Sequence, residues 1–134
     1  MGGGGVINSR QKGASFEREV AKALTAEGFP AKRGAQVSQG AWGVSAPDVI
    51  VPCLPDWHFE CKRHGRARLD LDAAICQARR DANKDLGLGK YKYSAVVHRR
   101  DHSDTLVTLT LRDFCALMRH SDFPVQPKTQ PTNA

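Results

Sequence analysis

Several features that would assign this chain to a membrane or secreted class are missing. No stretch approaches the roughly 18 consecutive apolar residues that a membrane-spanning helix needs. No positively charged segment followed by an apolar one, the pattern of a secretory leader, opens the chain. Internal repeats are also lacking. We therefore expect a cytoplasmic protein that is not built from repeats.

Paired cysteines of the C-x-x-C kind are also lacking. The four cysteines are Cys53, Cys61, Cys76 and Cys115. Their spacing excludes the common structural zinc sites, which take their ligands in close pairs. In a cytoplasmic protein, reduced thiols that serve as small core residues are the favoured interpretation.

The composition is that of a globular domain with an excess of positive charge. The 134 residues are 40% hydrophobic and 25% charged, and the formal net charge is +6. A chain of this length forms one domain with its own core, and a basic surface attracts phosphate backbones. We predict one domain over residues 9–121, with a flexible glycine-rich tail at 1–8 and a disordered tail rich in Pro, Gln and Thr at 122–134.

Hydrophobic periodicity predicts an α/β domain with a central mixed sheet flanked by helices. Helices are expected at 13–27, 71–85 and 112–120, and strands at 29–33, 48–52, 57–62, 91–98 and 105–111, in the order α-β-β-β-α-β-β-α. The predicted core positions of the helices are Phe16, Val20, Ala23, Leu24, Leu71, Ile75, Ala78, Ala82, Phe114, Leu117 and Met118.

The second and third strands carry an unusual set of charges. Side chains alternate across a strand, so Glu60 and Lys62 must share one face. If the hairpin closes near Leu54, Asp48 lies almost opposite Glu60, with Cβ atoms roughly 5 Å apart. A divalent cation would remove the repulsion between the two carboxylates, because Mg²⁺ prefers such oxygen ligands. The alternative is an ordinary surface cluster of ion pairs, which contributes little stability.

These residues resemble a known nuclease signature. Pro47-Asp48 followed by Glu60-Cys61-Lys62 looks like the PD-(D/E)xK motif, and Glu17 in KGASFEREV resembles the acid on the first helix of that superfamily. Residues 12–63 are similar to the archaeal-type Holliday junction resolvases, including those carried by phages. The resemblance implies a restriction-endonuclease-like fold and metal-assisted hydrolysis of phosphodiester bonds.

The resemblance also implies roles for individual residues. It assigns the Mg²⁺ ligands to Asp48, Glu60, the backbone carbonyl of Cys61 and, through water, Glu17, with Mn²⁺ able to substitute. Lys62 would orient or deprotonate the attacking water, or neutralise the phosphate. From the helix pattern alone, Glu17 is an acid that complements the helix dipole.

Two further catalytic candidates depend on the same resemblance. The glycine-rich loop 34–46 is expected to bring a serine to the scissile phosphate, Ser38 by preference and Ser45 otherwise. Gln77, on the helix after the Glu60 strand, would lie near the metal or the attacking water. A solvated loop hydroxyl and a solvent-facing glutamine are the alternatives.

Basic residues near these strands are expected to contact the DNA backbone without reading sequence. They are Lys12, Arg33, Arg63, His64, Arg66, Arg68, Arg80 and Lys84. The predicted function is resolution of four-way DNA junctions by paired symmetric nicks, with roles in recombination and repair. A four-way junction is two-fold symmetric, so this function implies a homodimer. The alternatives are another small nuclease acting on nicks, flaps or ends, and a non-catalytic basic DNA-binding module.

Overall fold

The computed structural model of the protein describes residues 9–34, 47–83 and 91–120. Its elements are α1 (Ser9–Ala26), β1 (Lys32–Arg33), β2 (Val49–Ile50), β3 (Trp57–His64), α2 (Leu71–Asn83), β4 (Tyr93–Arg100), β5 (Leu106–Thr108) and α3 (Leu111–Arg119). The predicted order of helices and strands is confirmed. The predicted tails and most of the predicted loop 34–46 lie outside the described residues. None of the described helices is long and apolar enough to cross a membrane.

Helix α1 packs one apolar stripe against the sheet and ends at a glycine. Phe16, Val20 and Ala21 are buried, as helical spacing requires, whereas Ala23 is exposed, contrary to the prediction. Gly28 has a φ of 96°, a left-handed conformation that glycine adopts without strain. Its N–H donates to Thr25 and the next N–H donates to Leu24, which satisfies carbonyls at the end of the helix.

The five strands form one mixed sheet in the order β1-β2-β3-β4-β5. Strands β2 and β3 form an antiparallel hairpin in which Val49 faces Phe59. Strands β3 and β4 run parallel over eight pairs, from Trp57 opposite Tyr93 to His64 opposite Arg100. A parallel pair needs a long crossover connection, and α2 lies within it.

Strands β1, β5 and β3 differ from their predicted bounds. Strand β1 starts only at Lys32, because the N–H of Phe29 donates to the Leu24 carbonyl of α1 and Pro30 has no N–H to donate. Strand β5 stops at Thr108, because Thr110 caps α3 by accepting a hydrogen bond from the backbone N–H of Asp113. Strand β3 instead runs two residues past its predicted end, because β4 pairs with it as far as His64.

The core lies mainly on one face of the sheet. Phe16 and Val20 of α1 pack with Phe59 and Val97 of the central strands, and Leu117 of α3 packs against the same cluster. On the other face, Ala74 and Ala78 of α2 pack against Val96 in a smaller cluster. Side chains of β3 are therefore sorted by parity, with the residues beside Glu60 on the α1 face and Glu60 itself on the α2 face.

The predicted burial of several residues is wrong. Leu71, the first residue of α2, is 37% exposed, and Phe114 is 46% exposed because α3 buries Asp113 and Ala116 instead. The buried Asp113 carboxylate accepts a hydrogen bond from the backbone N–H of Ser94, which fixes the helix to β4. Among the cysteines, all of which are free thiols, Cys53 and Cys76 are exposed and so are not core residues.

Candidate functional site

Two acidic side chains face each other across the β2–β3 hairpin. The pairing of Val49 with Phe59 places Asp48, one residue earlier, opposite Glu60. The Asp48 backbone N–H donates to the Phe59 carbonyl (3.1 Å), which continues the ladder to this point. The Asp48 carboxylate accepts a hydrogen bond from the Cys61 N–H (2.9 Å), so that it is held beside the third strand. This is the arrangement expected of a hairpin that closes near Leu54.

The electrostatics of this pair are unfavourable. Burial raises the pKa of Asp48 to about 7, and the negative charges of Glu60 and Glu17 add to the shift. The Cys61 N–H favours the charged form but does not offset these effects. Among the residues that the structure describes, no ion pair joins a cation to Asp48. Within the described residues, the charged form of Asp48 therefore has no compensating cation, and burial together with the neighbouring acids favours its protonated form.

Glu17 reaches the same region from α1. Its carboxylate accepts a hydrogen bond from Nε of Arg33 at 3.1 Å, and both side chains are less than one-fifth exposed. Its charge raises the pKa of Asp48, although less than that of Glu60 does. The predicted DNA contact of Arg33 remains a prediction, and the structure gives this residue an internal partner.

Glu60 has a second set of neighbours that the sequence reasoning missed. His58 is fully buried, and its Nε2 lies 2.8 Å from Oε1 of Glu60. Ligand atoms of His58, Glu60 and Asp81 all lie within 4.8 Å of one another, close enough to hold one metal ion. Because side chains alternate along a strand, the sequence already placed His58 on the same face of β3 as Glu60 and Lys62. Asp81 lies one helical turn beyond Gln77, but no sequence pattern connects it to β3.

Alternation along β3 separates Cys61 from Lys62. Cys61 packs against the α1 core, and burial raises the pKa of its thiol well above the usual range, with the charge of Asp48 adding to the shift. The thiol is therefore neutral at physiological pH. Lys62 is half-buried and lies two residues from Glu60 on the same strand, opposite His98 of β4.

The structure says less about the remaining catalytic candidates, Gln77 and the loop serine. Gln77 is partly exposed in the middle of α2. Ser38 and its alternative Ser45 lie outside the described residues, as does Lys84. Their proposed roles remain predictions.

The predicted DNA-binding residues divide into paired and exposed groups. Lys12 and Arg63 both bind the carboxylate of Asp101, at 3.2 Å and 3.1 Å, and so join the start of α1 to the end of β3. Nδ1 of His64 lies 3.1 Å from the Ala67 carbonyl, which shapes the turn after β3. The exposed group consists of Arg66, Arg68 and Arg80.

Comparison with known protein families gives a match that covers most of the chain. A family model described as "Phage putative PDDEXK endonuclease" matches residues 8–130. This range includes the acidic pair, Lys62 and all the described helices and strands. No curated protein and no solved structure matches the chain.

Proposed function

Because the chain belongs to the phage putative PDDEXK endonuclease family, and so to the PD-(D/E)xK nuclease superfamily, we propose that it resolves four-way DNA junctions. In this proposal it is a Mg²⁺-dependent, structure-specific endodeoxyribonuclease. The observation that carries the hydrolytic part is the pairing of Asp48 with Glu60, two carboxyls held together where burial and like charge raise the pKa of Asp48. Perturbed acids of this kind are characteristic of catalytic and metal-binding sites.

The donor set fits a divalent cation. Asp48 and Glu60 offer hard oxygen ligands, and a cation between them would remove the repulsion that raises the pKa of Asp48. The backbone carbonyl of Cys61 adds a further oxygen, and Glu17 would act through a water molecule. When bound, such an ion lowers the pKa of a water molecule and stabilises the charge that develops on the phosphate.

The protein's own groups would position the reactants. We assign Lys62 to the attacking water or the scissile phosphate, because its ammonium comes from the strand face that carries Glu60. Arg33 would hold the Glu17 carboxylate in place through their ion pair. Ser38, at the phosphate, and Gln77, near the attacking water, complete the proposed set.

Glu60 also belongs to the group with His58 and Asp81, which offers the ion a second position. An imidazole ligand favours transition metals over Mg²⁺, whereas carboxylates alone suit Mg²⁺. Comparing Asp48→Asn with Asp81→Asn in Mg²⁺ and in Mn²⁺ separates the two positions. We expect Asp48→Asn to abolish cleavage with both ions and Asp81→Asn to affect mainly the reaction with Mn²⁺.

The junction preference rests on symmetry. Two matched nicks in a two-fold symmetric junction require two active sites related by the same symmetry, and a homodimer supplies them. The exposed arginines that follow β3 would contact the backbone of branched duplex DNA. The proposed setting is recombination and repair of phage DNA in the host cytoplasm.

A cleavage assay on a synthetic four-way junction tests the proposal. With Mg²⁺ we expect paired symmetric nicks in the junction and an intact linear duplex, and EDTA should stop the reaction. Glu60→Gln should bind the junction without cutting it. Cleavage confined to flaps or ends would indicate another nuclease of the superfamily. Binding with no cleavage of any DNA by the intact protein would leave a basic DNA-binding module.

A further inference from the structure

A cavity of about 370 Å³ lies at the end of β3, outside the acidic site. It is formed by the end of β3, the connection from β3 to α2, and the turn between β4 and β5. Its lining residues include His64, Arg66, Arg68, Arg100, Leu71 and Leu106. Its volume lies within the range of small-ligand pockets, roughly 300 to 1,000 Å³.

The cavity lies on the same face of the sheet as Glu60, further along β3. Glu60, Lys62 and His64 alternate with the core-facing residues of β3, so they belong to one face of the sheet. On β4, His98 lies opposite Lys62 and Arg100 opposite His64, and both β4 residues line the cavity. His64 lies four residue steps beyond Glu60 along the strand, a distance of about 13 Å at roughly 3.3 Å per residue.

The lining combines positive charge with apolar walls. Arg66, Arg68 and Arg100 outnumber the single acid, Asp104. Leu71 and Leu106 supply large apolar side chains to the lining, and they stay 37% and 56% exposed. Arginines suit a phosphate, and apolar side chains suit the face of a base, so the cavity has the character of a nucleotide site.

We propose that this cavity takes one unpaired nucleotide of the DNA substrate, displaced from the base stack a few nucleotides from the cleaved bond. The inference rests on the proposed nuclease function and specifies its substrate. A base that remains paired and stacked in a duplex cannot enter the cavity, whereas a base at a branch point or a mismatch leaves the stack at little cost. The cavity would therefore select branched or locally unpaired DNA over linear duplex.

A binding experiment without divalent metal tests this directly. The probe is a DNA duplex with one unpaired 2-aminopurine, compared with the same duplex in which this base is paired. We expect the intact protein to bind the unpaired form about tenfold more tightly, because only this form can place a base against the leucines and arginines of the cavity. The fluorescence of the unpaired 2-aminopurine should rise as the base leaves its neighbours.

Two substitutions fill the cavity without removing a charge. Ala67→Trp and Ser103→Trp place a large ring at exposed lining positions. Ala67 contacts His64 through its backbone carbonyl, which the substitution keeps. The matched control is Ala26→Trp, at the exposed end of α1, which packs against the other face of the sheet. Thermal melting of each variant checks that the fold is kept.

We expect both cavity variants to lose the tenfold preference and the fluorescence change, while their affinity for paired duplex and the behaviour of the control stay as in the unmodified protein. Retained preference in both folded cavity variants would overturn the proposal. Equal weakening on both DNAs would also overturn it, because the cavity would then contact only backbone. Since no cleavage is measured, inactivity in Mg²⁺ would count against the proposed function without obscuring this result.

Discussion

Two aspartates beside β3 have opposite electrostatic environments. The backbone N–H of Asp48 donates to the carbonyl of Phe59, and that of Asp101 donates to the carbonyl of His64, five residues further along the strand. Burial and the charge of Glu60 raise the pKa of Asp48 to about 7. Hydrogen bonds from Lys12 and Arg63 hold the pKa of Asp101 below its usual range.

In the proposed mechanism, this difference separates a structural carboxylate, Asp101, from a metal ligand, Asp48. Asp101 joins the start of α1 to the end of β3 through two cations, so its charge is compensated within the fold. Asp48 is held by a backbone N–H and faces two other acids, so its charge opposes folding. A fold that keeps such a group at a defined place is consistent with selection for binding a cation there.

The largest expected difference between Asp48 and Asp101 is in the cleavage rate of their variants. Asp48→Asn should lower metal-dependent cleavage of a DNA junction by about a thousandfold or more, because it removes a proposed ligand of the ion. Asp101→Asn, the matched control, should keep cleavage within a few-fold of the unmodified protein, measured as single-turnover rates. Similar losses in both variants would remove the functional distinction.

Substitution of Asp48 and of Asp101 by asparagine should change the free energy of unfolding in opposite directions. In metal-free protein at pH 8, Asp48→Asn should raise the free energy of unfolding by on the order of 1 to 3 kcal/mol, because the amide carries no charge to bury. Asp101→Asn should lower it, because Lys12 and Arg63 lose their acceptor charge. Urea denaturation measures both changes. A less stable Asp48→Asn variant would contradict the assignment of an uncompensated charge.

The stability gain of Asp48→Asn should depend on pH. The unfolded chain loses the Asp48 proton near pH 3.8, whereas the folded chain keeps it up to about pH 7. The gain should therefore be absent below about pH 4, grow between pH 4 and 7, and stay constant above. The stability that the charged Asp101 carboxylate contributes has the opposite pH dependence. It is fully present above pH 3.8 and is lost as the pH falls through the lowered pKa of Asp101. Urea midpoints across this range check both trends.

The smallest expected effects are changes in the pKa of Asp48 when one of its two acidic neighbours is neutralised. Both Glu60→Gln and Glu17→Gln should lower the pKa of Asp48, because each removes a negative charge, and the Glu60 change should have the larger effect. Carboxyl ¹³C chemical shifts followed against pH measure the two displacements. An equal or larger shift from Glu17→Gln would mean that α1 lies closer to the acidic pair than the hairpin partner does.

Much of this fold could be predicted because its patterns are local. Alternation along β3 separated Glu60 from Cys61, and the position of the turn near Leu54 was enough to give the pairing of Asp48 with Glu60. Helix burial was less predictable: helical spacing alone could not show that α3 buries Asp113 in place of Phe114, because this depends on a hydrogen bond to Ser94 of another element.

The sequence by itself determined the order of helices and strands, the motif and the face of β3 on which Glu60 lies, since each depends on spacing along the chain. Only the tertiary structure decided which polar side chains from distant parts of the chain lie close together. The partners Glu17 with Arg33, Asp101 with Lys12, and Asp81 with His58 are separated by 16 to 89 residues. Their contacts follow from how helices dock on the sheet, and no periodic pattern in the chain encodes that docking.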